Sequence, residues 1–175
     1  IDVTATPELR ARSLREGRVR LGAATPFQRF LDDPMLREAM PSMDACAIWF
    51  ADDQIRESAT IGGNIVNASP AGDGLPPLLA LNAVVELAAR RDGVIERRRM
   101  ALADFVKGPG RTELRPDDIL VAIEADALPG HGGAFEKVGH RRSLVISVAC
   151  VAAVVRLDAT RRVFEDVRIG IGGVG

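Results

Sequence analysis

Arg18-Val19-Arg20-Leu21-Gly22-Ala23 alternates polar and apolar positions, the period of two expected of a strand with one wet face. Just downstream the period lengthens. Thr25 followed by Pro26 reads as a helix start, a hydroxyl N-cap with proline at the first helical position, and Phe27, Phe30 and Leu31 then share a face. A second helix is predicted over Met35 to Ala39, ended by Pro41; Ser42 is placed to cap a third, in which Met43, Ala47 and Phe50 fall at roughly helical spacing. Ile1 to Ala5 reads as a strand already under way.

From Glu57 onward short segments broken by glycine and proline take over. Gly74-Leu75-Pro76-Pro77 leads into Leu78 to Leu81, a short helix whose prolines suit its first turn and which Asp73 is placed to cap. Ala83 to Ala88 and Val94 to Arg98 are the arms of a predicted hairpin turning at Arg91-Asp92-Gly93. Asp104 to Gly110 reads as a loop, because Gly108-Pro109-Gly110 interrupts any regular element, and Ile119 to Ile123 as a strand. Pro129 to Gly133 is a candidate linker. Beyond it strands are expected over Ala134 to Val138, Val145 to Leu157 and Val167 to Ile171, with a turn at Asp158 to Arg162. The whole reads as an α+β chain in two units, 1–128 and 129–175.

Composition narrows the function classes. The 175 residues suffice for one core, or for one domain and part of another; 47% hydrophobic and 27% charged residues exclude a disordered chain. With 23 basic against 24 acidic side chains, the net charge of −1 argues against a nucleic-acid binder that works by neutralising phosphates. The longest apolar stretch, Val145 to Val155, is interrupted by Ser147 and falls short of the ~20 residues needed to cross a bilayer. A cytoplasmic protein with no membrane span is the expectation. Cys46 and Cys150 are isolated, with no Cys-x-x-Cys pair, so both read as small buried hydrophobes and iron–sulfur or zinc ligation is not expected within this chain. His131 and His140 lack a third ligand-type neighbour and read as loop and strand-edge residues. Arg90-Arg91 and Arg97-Arg98-Arg99, on the two arms of the hairpin, read as a solvated face. Both ends look cut, as in a segment of a longer polypeptide.

The most informative stretch runs Thr60-Ile61-Gly62-Gly63-Asn64-Ile65-Val66-Asn67-Ala68-Ser69-Pro70-Ala71-Gly72-Asp73. Consecutive glycines permit positive φ and bring N–H groups close to a ligand, an arrangement suited to a pyrophosphate. Thr60 and Asn64 add a hydroxyl and an amide, and Asp73 an acceptor for a sugar hydroxyl. The spacing is neither Gly-x-Gly-x-x-Gly nor a P-loop. An ordinary Gly-Gly turn is the alternative reading.

This stretch, followed by Pro77-Leu78-Leu79-Ala80-Leu81, resembles the FAD-binding subunit of the xanthine dehydrogenase and carbon monoxide dehydrogenase family, the molybdenum hydroxylases. The resemblance takes in Trp49-Phe50-Ala51, Gln54-Ile55-Arg56, Arg115-Pro116-x-Asp118-Ile119-Leu120, Phe135-x-Lys137-Val138-Gly139-x-Arg141-Arg142 and Val167 to Gly175. It implies a PCMH-type FAD-binding domain, incomplete at its N-terminus, followed by the start of a small α+β C-terminal domain. It also implies that Thr60, Ile61, Gly62, Gly63 and Asn64 lie on the pyrophosphate side. Asp73, Phe50, Leu120 and Lys137 become flavin contacts, and Ile146 an apolar position near the ring. The family's earlier Ala-Gly-Gly-Thr phosphate loop has no counterpart in this sequence, so an N-terminal lobe is expected elsewhere in the polypeptide. In such a complex a molybdenum cofactor on a large subunit oxidises the substrate. Two 2Fe–2S clusters on a small subunit carry electrons, and FAD passes them to an external acceptor. A stand-alone FAD-dependent reductase and a non-catalytic nucleotide-binding scaffold remain as alternatives.

Overall fold

The computed structural model describes residues 2–3, 5–141 and 144–174. The expected strand at Ile1 to Ala5 falls partly outside the described residues, through Ile1 and Thr4; Asp2, Val3 and Ala5 are not in a strand. Arg142 of the Arg-Arg pair and Gly175 also lie outside them.

A turn of 3-10 helix at Pro7–Arg10 precedes β1 (Arg12–Arg15) and β2 (Arg18–Gly22), which turn on Glu16 and Gly17, both at positive φ. Four short helices follow: α1 (Arg29–Asp32), α2 (Pro34–Ala39), α3 (Met43–Trp49) and α4 (Asp53–Ser58). Then come α5 (Ile61–Asn67), α6 (Leu75–Ala80), the hairpin β3 (Val84–Arg91) and β4 (Val94–Ala101), and α7 (Leu102–Phe105). The chain continues through a small hairpin, β5 (Val106–Gly108) with β6 (Arg111–Thr112), to β7 (Asp118–Asp126), β8 (Gly132–Val138), β9 (Ala149–Leu157) and β10 (Phe164–Gly172).

Two antiparallel sheets result, in the orders β1-β2-β7-β3-β4 and β10-β9-β8. Period-two alternation explains the first: Val19, Leu21, Val85, Leu87, Ile123 and Ala125 face one continuous core with the helices, while Arg18, Arg20, Glu86 and Glu124 occupy the other face. The same core runs on through Phe27, Phe30, Met43, Ile61 and Leu78 to Phe135, Ala152 and Val154 of the second sheet. Helices α3 and α6 pack against that second sheet, α5 and α7 against the first.

The wet face is an ion-pair lattice. Glu86 accepts from Arg20 at 2.6 Å and Arg97 at 2.5 Å, and these contacts, Arg20 foremost, hold its carboxyl below the usual glutamate range against the opposing effect of burial. Arg99 pairs with Glu124 there, whereas Arg98, opposite Leu87 on the other face of β4, reaches Asp118 at 2.5 Å. Arg97 and Arg99, expected on a solvated face, are half exposed and ion-paired. Asp126 accepts from Arg18, from Asn82 at 2.8 Å and from Arg168 at 2.6 Å, so a residue of β10 is tied to the first sheet. His131 lies in the loop before β8, as expected, with its side chain buried and Nε2 3.2 Å from Asp166.

Several local expectations need correction. Thr25 does not cap a helix: Gln28 holds the N-cap position of α1, and Pro26 bridges to Thr60 instead, where the backbone is extended. Ser42 does occupy the N-cap position of α3, but at φ 78° its hydroxyl makes no cap bond. Residues 104–110 are not a plain loop, because Leu102–Phe105 completes a turn of helix and Gly108 and Gly110, at positive φ, close a hairpin. Val145 does not begin a strand; pairing with β8 starts only at Ala149, because Lys137 and Asp73 draw the preceding stretch inward.

Candidate functional site

The Gly-Gly stretch is the start of a helix. Thr60 is the N-cap of α5, its Oγ1 accepting from the Gly63 N–H at 3.0 Å. Neither Gly62 nor Gly63 has positive φ, which corrects the expectation of a left-handed loop. The expected nest of free N–H groups is also absent from residues 61–64. Ile61 N–H donates to Thr25 O and Gly62 N–H to Ala23 O, both at 2.9 Å, and Asn64 N–H to Thr60 O at 3.0 Å. The orphan donors of the first turn are taken by the cap and by the carbonyls that follow β2.

What the glycines supply is closeness. A Cβ on Gly62 would stand 2.6 Å from Ala23 O and 2.7 Å from Ala23 Cβ, so this glycine seats α5 against the chain leaving β2. A Cβ on Gly63 would meet only the Thr60 hydroxyl, at 3.0 Å. Gly63 therefore opens on a cavity of about 480 Å³, which Gly62 and Thr60 also line and whose other walls include Ala23, Val66, Leu114 and Leu120. Leu120, on β7, is buried opposite the glycines. Asp118 closes one side. Burial opposes its ionisation, but Arg98 and the Arg115 N–H at 3.0 Å hold its carboxyl below the usual aspartate range.

Asn64 and Ile61 are not on that wall. Asn64 Oδ1 accepts from the Gly74 N–H at 3.2 Å and so ties α5 to the 69–74 loop; Ile61 is fully buried in the core. Phe50 stacks on Phe27, with ring centroids 4.0 Å apart and planes 3° from parallel. Arg56 fixes the turn after it by donating to Phe50 O at 3.0 Å.

Asp73 and Lys137, distant in sequence, meet in the seam between α3, the 69–74 loop and β8. Lys137 Nζ donates to Asp73 Oδ2 at 2.7 Å and to Val145 O at 3.0 Å, while Ser147 Oγ donates to Asp73 Oδ1 at 2.6 Å. The two charged side chains are 1% and 8% exposed, so this is a buried ion pair with hydrogen-bonded partners. Asp73 does not cap α6, whose N-cap is Gly74 with no side-chain cap bond. The Cys46 thiol donates to Asp73 O at 3.2 Å; burial, and then Asp73, push its pKa well up. Lys137 also lines a second cavity, of about 490 Å³, with Trp49, Val138, Gly139, Arg141 and Val145. Ile146 is 74% exposed and stands apart from both cavities.

Of the residues expected from sequence, Thr60, Gly62, Gly63 and Leu120 therefore share one cavity. Asp73 and Lys137 form a pair at another, Asn64 connects loop and helix, and Phe50 belongs to an aromatic stack. Two partners were not foreseen: Phe27 and Ser147. The signal for Ser147 was its interruption of the apolar run around it.

Residues 1–125 match the family described as the FAD binding domain in molybdopterin dehydrogenase. The chain belongs to that family. FAD is the cofactor for which it is named. The xanthine dehydrogenase FAD-binding subunit of Escherichia coli O157:H7 is 35% identical over 175 residues, a stretch covering 98% of this chain and 58% of that protein. The nicotinate dehydrogenase FAD-subunit of Eubacterium barkeri is 33% identical over 162 residues, covering 90% and 53%. The solved carbon monoxide dehydrogenase of Hydrogenophaga pseudoflava superposes with a TM-score of 0.87 at 28% identity, over 98% of this chain and 58% of that one. The chain thus spans little more than half the length of these relatives. A family cofactor with flat ring systems fits what the described residues offer: cavities of ligand size, and a wall without a Cβ at Gly63.

Proposed function

We propose that this chain carries one side of an FAD site in a molybdenum-containing hydroxylase or dehydrogenase complex, and that its task is electron relay. The observation that carries the reading is the Cβ-free face of Gly63, held rigid by the Thr60 cap and open to an apolar cavity opposite Leu120. The protein lets a flat group approach its backbone there. Away from that cavity, Asp73 and Lys137 form a fixed charge pair, and Phe50 is held face to face on Phe27. When bound, FAD would supply the electron chemistry, taking electrons from 2Fe–2S clusters on a small subunit and passing them to an external acceptor. A large subunit with the molybdenum cofactor would oxidise the substrate. Residues 1–128 would form the second lobe of the FAD-binding domain and 129–175 the beginning of the C-terminal domain.

A cytoplasmic complex is part of this proposal; among the described residues no helix is long and apolar enough to cross a membrane. The test is anaerobic mixing of the flavin-loaded protein with heteroaromatic and aldehyde substrates. Flavin bleaching should require the iron–sulfur and molybdenum subunits. Bleaching by a substrate without partners would point to a stand-alone reductase, and a purified subunit that takes up no flavin would point to a scaffold.

A further inference from the structure

We infer that Ser147 is a positioning residue of the flavin site: it aims the Asp73 carboxylate and, through it, the Lys137 ammonium at the cavity beside Trp49. The stretch around it has its polarity reversed. Ile146 and Val148 are exposed, whereas the serine between them is buried. A hydroxyl turned inward is costly unless it is bonded, and this one donates to Asp73 Oδ1 at 2.6 Å. The same stretch touches the pair again, because Val145 O accepts from Lys137 Nζ at 3.0 Å.

The hydrogen-bond count gives the role. An ammonium has three protons, and Lys137 places one on Asp73 Oδ2 and one on Val145 O. A third proton is left over, and Lys137 forms part of the wall of the cavity beside Trp49, its side chain 1% exposed behind that wall. Ser147 fixes the rotation of the Asp73 carboxylate by holding its other oxygen. Without that hydroxyl the carboxylate is free to rotate away from the ammonium, which then loses its fixed seat and is freed to move toward solvent. The residue type is telling: among 23 basic side chains only Lys107 and Lys137 are lysines. A compact point charge suits this mount where a planar guanidinium would not.

This inference rests on the flavin reading of the site, so its test includes a measurement that needs no flavin. An amine-reactive acetylating reagent, read by mass spectrometry, reports Lys137 against Lys107 as internal control, since the Lys107 side chain is 48% exposed and that of Lys137 is 1%. In Ser147→Ala, labelling of Lys137 relative to Lys107 should rise. FAD affinity should fall by about tenfold, as for one lost hydrogen bond to a charged group, and the visible flavin band should shift. Ser147→Thr, which keeps the hydroxyl, should restore all three. Should Ser147→Ala fail to fold, Ser147→Cys, which substitutes a weak donor of similar size, is judged by the same three readouts. Unchanged Lys137 labelling and an unchanged flavin band in a folded variant would overturn the positioning role alone. Altered labelling in a protein whose wild type takes up no FAD would overturn the flavin assignment, and the positioning role with it.

Discussion

Gly62 and Gly63 are neighbours with different tasks, and alanine at each should separate them. At Gly62 the new methyl would lie 2.6 Å from a backbone oxygen, Ala23 O, which itself accepts the Gly62 N–H. That oxygen cannot retreat without weakening its hydrogen bond. Overpacking of this kind costs about 1–3 kcal/mol, offset by at most ~1 kcal/mol of improved helix propensity. A net loss of roughly 1–2 kcal/mol should lower the melting temperature by about 2–8 °C in a chain of this length. At Gly63 the methyl meets only the end of the Thr60 side chain at 3.0 Å, so stability should stay within ~1 kcal/mol of wild type. The methyl would instead project into the cavity, and FAD affinity should fall by about tenfold or more, Gly63→Val abolishing it. Thermal melts without FAD and fluorescence titration with FAD read the two effects independently. A Gly62→Ala variant that melts at or above wild type would refute the packing role. A folded Gly63→Val variant with full FAD occupancy would refute the cavity assignment.

Three further outcomes are expected. Asp73→Ala leaves the Lys137 ammonium buried without its partner and should cost about 3–5 kcal/mol in urea unfolding, with Lys137→Met in the same chain recovering much of the loss; an additive double variant would contradict the pairing. Glu86 has a lowered pKa in the fold, so its contribution is present above the ordinary glutamate value of 4.5 and is lost as pH falls through the folded value; stability should drop with acid there, and Glu86→Gln should flatten the drop. Burial raises the pKa of both Cys46 and Cys150, so a thiol reagent at mildly alkaline pH should leave them unmodified in the native protein and label both once denaturant is added.

The strands that alternate were legible from sequence. Arg18 to Leu21 and the hairpin at Asp92-Gly93 lie where their period and turn residues put them, because burial of one face fixes both. The helix starts were less so. Thr25-Pro26 has the composition of a cap, but its backbone is claimed by a bridge to Thr60, a contact far away in sequence. Gly62-Gly63 was readable as a close-approach site and misleading about conformation: the glycines answer to Ala23 and to the cavity, and no local signal reveals either. The Lys137–Asp73–Ser147 cluster joins residues 64 and 74 positions apart, a distance that only the packing of β8 on α3 closes.

Because the Thr60 cap satisfies α5 from within, the wall at Gly63 is finished before any ligand arrives. Recognition there needs no disorder-to-order step, so little conformational entropy should be lost on binding. Amide exchange in α5 should be slow with or without cofactor, and differences in residence time among ligands should come from how well each fills the cavity. Heat that frays α5 would then release the cofactor in the same transition, so that flavin fluorescence would follow unfolding without an added dye.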